Sequence, residues 1–135
     1  MDIISGLLIL IGAVKAVQTE PIIEPINKQE VVLEYFVEEL AKCESGQNPL
    51  AINPHDSGSP SYGYVQFKKS TWENQLRYYK MLPEAEDKEL MNFIHDKDIQ
   101  VELAKKMIKD GKWKHWQNCA KKTGLDKFVY EAENN

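Results

Sequence analysis

The chain has 135 residues, 42% of them apolar, and a formal net charge of −4. That length holds one domain with a sizeable core. The acidic balance gives no basic footprint for nucleic acid and no long-range attraction to an anionic polymer, so an anionic partner would have to be gripped locally, in a cleft.

Residues 1–16, MDIISGLLILIGAVKA, read as a secretory leader: Ile3 to Val14 is an apolar run, and Val14 and Ala16 offer small side chains for cleavage. The run falls short of the about 20 residues a spanning helix needs, so no stable membrane insertion is expected after cleavage. The start has no Lys or Arg and carries Asp2, which leaves an uncleaved anchor or a packed N-terminal helix as alternatives. An exported location follows from the leader, secreted or in the cell envelope, and a phage-associated protein fits the same sequence. In residues 17–27, Pro21 and Pro25 do not suit a helix interior and predict an extended linker. The folded domain is expected over residues 28–135.

Asn27 as N-cap with Glu30 at N3 predicts a capping box and a helix from about Lys28. Phe36, Leu40 and Cys43 recur at helical spacing as a buried stripe, with Glu34, Glu38 and Lys42 on a solvated face. Gly46 suits the helix stop, which leaves Glu44 in the last turn at the edge of the stripe. The negative helix end and partial burial both disfavour a carboxylate there. Both raise its pKa, as a general acid near neutral pH requires. The alternative is a solvated glutamate of ordinary acidity.

From Gln47 to Ser61 the sequence is turn chemistry, with Asn48-Pro49, Asn53-Pro54, Asp56-Ser57-Gly58 and Ser59-Pro60. Tyr62 to Phe67 is β-prone and predicts a small hairpin. Ser70 with Glu73 predicts a capping box opening a helix through Trp72, Leu76 and Tyr79, and Glu84 to Phe93 predicts another after Pro83. Asp96 predicts the cap of a mostly buried helix running to about Lys109. Its apolar rows are Ile99, Leu103, Met107 and Val101, Ala104, Ile108, and Gly111 is its stop. Trp113 to Lys122 is a last amphipathic segment whose tryptophans are expected in the core. The fold class is mainly α (α+β), a helical domain with a small β-hairpin lobe flanking a cleft.

Cys43 and Cys119 form an even pair, which in an exported protein predicts one disulfide; in a reducing compartment they would be two buried thiols. His55, His95 and His115 show no metal-ligand spacing, so no metal is expected, and His55 is expected to be a solvated loop residue.

Glu44-Ser45-Gly46, then Asn53-Pro54, then Ser61-x-Gly63-x-x-Gln66-Phe67 resemble the lysozyme-like domains of soluble lytic transglycosylases and goose-type lysozymes. Trp113-x-x-Trp116-x-x-Cys119 resembles a tryptophan-and-cysteine stretch of lysozyme-like domains, and the likeness covers residues 29–125. It implies a monomeric, cofactor-free glycosidase acting on peptidoglycan glycan strands, with Glu44 as catalytic acid. It further implies substrate-binding roles for Ser45, Asp56, Tyr62, Gly63, Tyr64 and Gln66. Asp56 stands where goose-type lysozymes carry a water-positioning aspartate, although Asp-Ser-Gly is equally a turn former. Lys68 stands where those enzymes carry a further aspartate, and the third transglycosylase motif, Ala-Tyr-Asn, is absent, with Gln117-Asn118-Cys119-Ala120 in its region. One firm carboxyl favours a lytic transglycosylase. The alternatives are a hydrolytic muramidase using Asp56 and a non-catalytic wall-binding protein.

Overall fold

A computed structural model of the chain describes Pro21 and residues 25–131. The leader and most of the linker lie outside the described residues. Helix α1 (Lys28–Ser45) starts at Asn27, whose side chain accepts from the backbone N–H groups of Gln29 and Glu30. It ends at Gly46, whose φ of 64° lets its N–H reach back to the carbonyls of Ala41 and Lys42. Its buried residues are Leu33, Val37, Leu40 and Ala41. The buried stripe is thus turned from the expected Phe36, Leu40, Cys43 line, and Glu44 continues it at helical spacing rather than sitting at its edge. Phe36 instead packs on Phe128 of the C-terminal segment, with ring centroids 5.4 Å apart.

A three-stranded antiparallel sheet follows, in the order β1 (Ile52–Asn53), β2 (Ser61–Tyr62), β3 (Phe67–Lys68). Tyr62 pairs with Ile52 on one side and Phe67 on the other. The turn from β2 to β3 begins at Gly63, φ 85°, and ends at Gln66, φ 58°. Helix α2 (Lys69–Tyr78) starts two residues earlier than a Ser70 cap implies. Its N-cap is Lys68, in extended backbone, without a side-chain cap bond, so the Ser70–Glu73 capping box does not form. The strand runs straight into the helix and leaves Ser70 inside the first turn. The predicted Glu84–Phe93 helix is a shorter 3-10 helix, Asp87–Phe93, closed by a capping box between Glu86 and Glu89.

Helix α3 (Lys97–Lys109) is capped by Asp96, which accepts from the Ile99 N–H. It buries Leu103, Ala104, Met107 and Ile108, and also Gln100, at 0% exposure. The chain then passes through a 3-10 turn (Trp113–Trp116), helix α4 (Gln117–Thr123) and a 3-10 turn (Leu125–Lys127). Trp116 is buried and donates from Nε1 to the Val65 carbonyl at 2.7 Å, while Trp113 is partly buried against the core. The segment after α4 returns to α1, where Tyr130 donates to Glu30 at 2.9 Å. No helix among the described residues is long and apolar enough to cross a membrane.

Gln100 ties α3 to the β-lobe. Its Oε1 accepts from the Val65 N–H at 2.9 Å, and its Nε2 donates to the carbonyls of Tyr62 at 3.0 Å and Ile94 at 2.5 Å. The amide packs so closely on Gly63 that a Cβ there would stand 2.1 Å from Nε2. Replacing Gln100 by Leu leaves buried backbone groups unpaired and is expected to cost about 3 kcal/mol or more, read by urea unfolding.

Cys43 and Cys119 are joined in a disulfide that spans 76 residues and ties the end of α1 to α4. A cross-link of that reach stabilises by about 4 kcal/mol through the unfolded chain. The double Cys→Ser variant should therefore melt on the order of 15 °C lower than the oxidised protein in a thermal scan.

Candidate active site

The last turn of α1, the β-lobe and the Trp113–Thr123 stretch enclose a cavity of about 410 Å³. Glu44 contributes from α1, Asp56, Gln66 and Lys68 from the lobe, and His115 and Asn118 from the third side.

Glu44 is half-buried, because the stripe it continues faces the core while its own turn is the last before the cavity. Burial raises its carboxyl from the ordinary value of 4.5 to about 7, and the nearby Asp56 carboxylate raises it in the same direction. Lys122 acts against both. The direction is the one expected from helix position, but desolvation leads the causes.

Asp56 is held by two contacts. Its Oδ2 accepts from the buried Ser61 hydroxyl, and its backbone carbonyl accepts from Lys68 Nζ. Lys68 Nζ also donates to Ser59 Oγ at 2.8 Å and the Ser59 carbonyl at 3.3 Å. The lysine therefore clamps the Asp56–Ser59 turn from across the sheet. Gln66 lines the cavity, yet its amide nitrogen is bonded to the carbonyls of Gly63 at 2.9 Å and Ala51 at 3.3 Å.

The other residues expected at the site, Ser45, Tyr62, Gly63 and Tyr64, do not line this cavity. The Ser45 hydroxyl donates to the Tyr64 carbonyl at 2.6 Å and accepts from the Asn48 N–H at 3.1 Å, so it fastens α1 to the lobe. Tyr64 is buried, and its hydroxyl donates to Glu38 on the far side of α1. Gly63 is enclosed by Gln100 and Ile94. Tyr62 lines a neighbouring hollow of about 340 Å³ with Ser59, Lys68 and Glu73. His55 is exposed.

A family model described as "Transglycosylase-like domain" matches residues 34–119, well over half of the chain. The chain belongs to that family. No curated protein and no solved structure matches it. The matched span of this transglycosylase-like domain takes in Glu44, the whole β-lobe and both cysteines.

Among the cavity residues with no role assigned from sequence are Lys114, His115, Asn118 and Lys122. His115 is stacked on Phe67, with centroids 5.4 Å apart, and set edge-on to Trp116. Burial lowers its pKa from 6.5 to about 4, so it is neutral at physiological pH. Its buried Nε2 has no hydrogen-bond partner among the described residues. Among those residues no group of three or more His, Cys, Asp or Glu is arranged to hold a metal ion.

These shifts act on stability with opposite signs. Glu44 titrates higher when folded, so its contribution is whole below its unfolded value near 4.5 and is lost as pH rises through about 7. His115 titrates lower when folded, so its contribution is whole above 6.5 and is lost as pH falls through about 4. Wild type should lose about 2 kcal/mol from Glu44 between the acid and alkaline ends, after discounting for solvent contact. Glu44→Gln should lack that alkaline-side loss and keep the acid-side loss, as measured by urea unfolding across pH.

Proposed function

We propose that the protein is a peptidoglycan lytic transglycosylase in which Glu44 is acid, then base. The observation that carries this reading is a half-buried carboxyl with a pKa near 7 on the wall of a groove, in a transglycosylase-like domain. At neutral pH such a group is protonated in a large fraction of molecules and can both give and take a proton.

The bond cleaved is the β-1,4 link from N-acetylmuramic acid to N-acetylglucosamine. Glu44 gives its proton to the glycosidic oxygen as the bond from muramic C1 breaks. The substrate's own N-acetyl oxygen stabilises C1, so no protein nucleophile is required. The muramic C6 hydroxyl oxygen then bonds to C1, and its proton passes to the ionised Glu44. The products are a free N-acetylglucosamine 4-hydroxyl and a 1,6-anhydro end, and Glu44 is protonated again. Asn118 and Gln66, on the same cavity, are the candidates for hydrogen bonding the sugar amides.

A second reading, a hydrolytic muramidase, is favoured by Asp56. Its carboxylate lies close enough to Glu44 to raise its pKa and lines the same cavity, where it would position water in place of the C6 hydroxyl. A cell-envelope or secreted location, a cleaved leader at 1–16, a linker at 17–27 and a monomeric domain at 28–135 complete the proposal. The oxidising conditions under which the Cys43–Cys119 disulfide persists accord with export.

Glu44→Gln should abolish the clearing of purified walls by at least about 100-fold, the usual scale of a general acid. A variant that still clears walls would exclude Glu44 as the acid, and retained wall binding without any wild-type clearing would favour a non-catalytic binder. Mass spectrometry of the products decides the rest, since anhydro ends are lighter by one water. Asp56→Asn should leave anhydro products forming.

A further inference from the structure

The groove carries more positive charge than the chain as a whole predicts. Lys68, Lys114 and Lys122 all line it, in a protein of net charge −4. Their circumstances differ. Lys68 directs its ammonium group at three oxygens of the Asp56–Ser59 turn, which accounts for all three of its protons. Lys114, on the Trp113–Trp116 turn, and Lys122, in the last turn of α4, are exposed. Among the described residues neither side chain makes a hydrogen bond or an ion pair, which is true of several other exposed lysines, but these two line the groove. Two unpaired cations therefore stand on the wall formed by the Trp113–Thr123 stretch.

An electrically neutral sugar chain offers such cations little beyond what water does. A carboxylate-bearing one offers them direct partners. We propose that Lys114 and Lys122 form a specificity rim that binds the free carboxylates of the peptide stems attached to the muramic acid lactyl groups. This rests on the transglycosylase reading and names the part of the substrate that the groove selects. The rim favours stem-bearing, anionic strands over neutral chitin-type chains. It also supplies locally the attraction that the net charge of the whole chain denies at long range.

The test uses purified walls in two forms, native and with their carboxylates converted to amides by carbodiimide and ammonia. Wild type and the Lys114→Met/Lys122→Met double variant are assayed on both. Wild type should act about tenfold less efficiently on amidated walls, through a higher half-saturating wall concentration, as two modest charge contacts imply. The double variant should be about tenfold weaker than wild type on native walls and insensitive to amidation. Added salt should weaken wild type on native walls and leave the variant nearly unchanged. Lys122 also acts on Glu44, so the readout is the native-to-amidated ratio, which a smaller folded fraction does not change, and circular dichroism checks that the variant is folded. An unchanged ratio in the variant, or a wild type indifferent to amidation, overturns the rim and leaves the transglycosylase reading standing. A wild type that cleaves neither wall overturns both.

Discussion

A single buried amide, Gln100, sets the relation between the two parts of this fold. The turn from β2 to β3 leaves backbone groups facing the core, and a buried polar group without a partner is costly. Gln100 meets them with one acceptor and two donated bonds, from the first turn of α3, whose other buried residues are apolar. Glycine at position 63 is what lets the amide come so close. With the turn fixed, Val65 receives the Trp116 indole, Phe67 stacks under His115, and the lobe stands at a set distance from the end of α1. The groove exists because these separate segments are held to one another by a few directional bonds.

The acid in that groove is governed by opposing terms. Desolvation and the Asp56 carboxylate favour the proton, and Lys122 favours its loss. The result, near neutrality, is a property of the whole enclosure rather than of the glutamate. The neighbours are held as carefully as the acid. Asp56 has its carboxylate occupied by Ser61 and its backbone by Lys68, so its charge is kept at a fixed place instead of swinging with the loop. Lys68 stands where the resemblance to goose-type lysozymes implied an acid. Here it fastens the loop.

Helix ends were the most legible part of the chain. Asn27, Asp96 and Gly46 act through bonds to residues within five positions, so local sequence contains the whole interaction. The phase of α1 was not legible to the same degree. Phe36 and Cys43 looked like core because each does have an apolar or covalent partner, Phe128 and Cys119, but those partners are remote in sequence, and only Cys119 is itself buried in the core. Ser70 and Glu73 matched a capping pattern that an uninterrupted strand-to-helix junction made unnecessary. Gln100 and His115 were invisible for the converse reason. A polar residue in a helix reads as surface unless one knows which distant carbonyl or ring will cover it. Tyr64, two residues before the cavity-lining Gln66, was turned away by Glu38, a partner 26 residues earlier.

The two inferences drawn for the groove are linked through Lys122. Among the described residues this cation is the one that favours ionisation of Glu44. A stem carboxylate seated on the rim would offset it, and Glu44 would then hold its proton more firmly with substrate bound than without. Proton donation is needed only in that bound state, so the rim would ready the acid as it recognises the strand. In the proposed reaction the same glutamate then recovers a proton from the muramic C6 hydroxyl, and an anion still seated nearby would favour that return. A neutral strand would leave Lys122 uncompensated and Glu44 more readily ionised. Discrimination between substrates would then arise in the chemical step as well as in binding, from one unpaired lysine beside one half-buried acid.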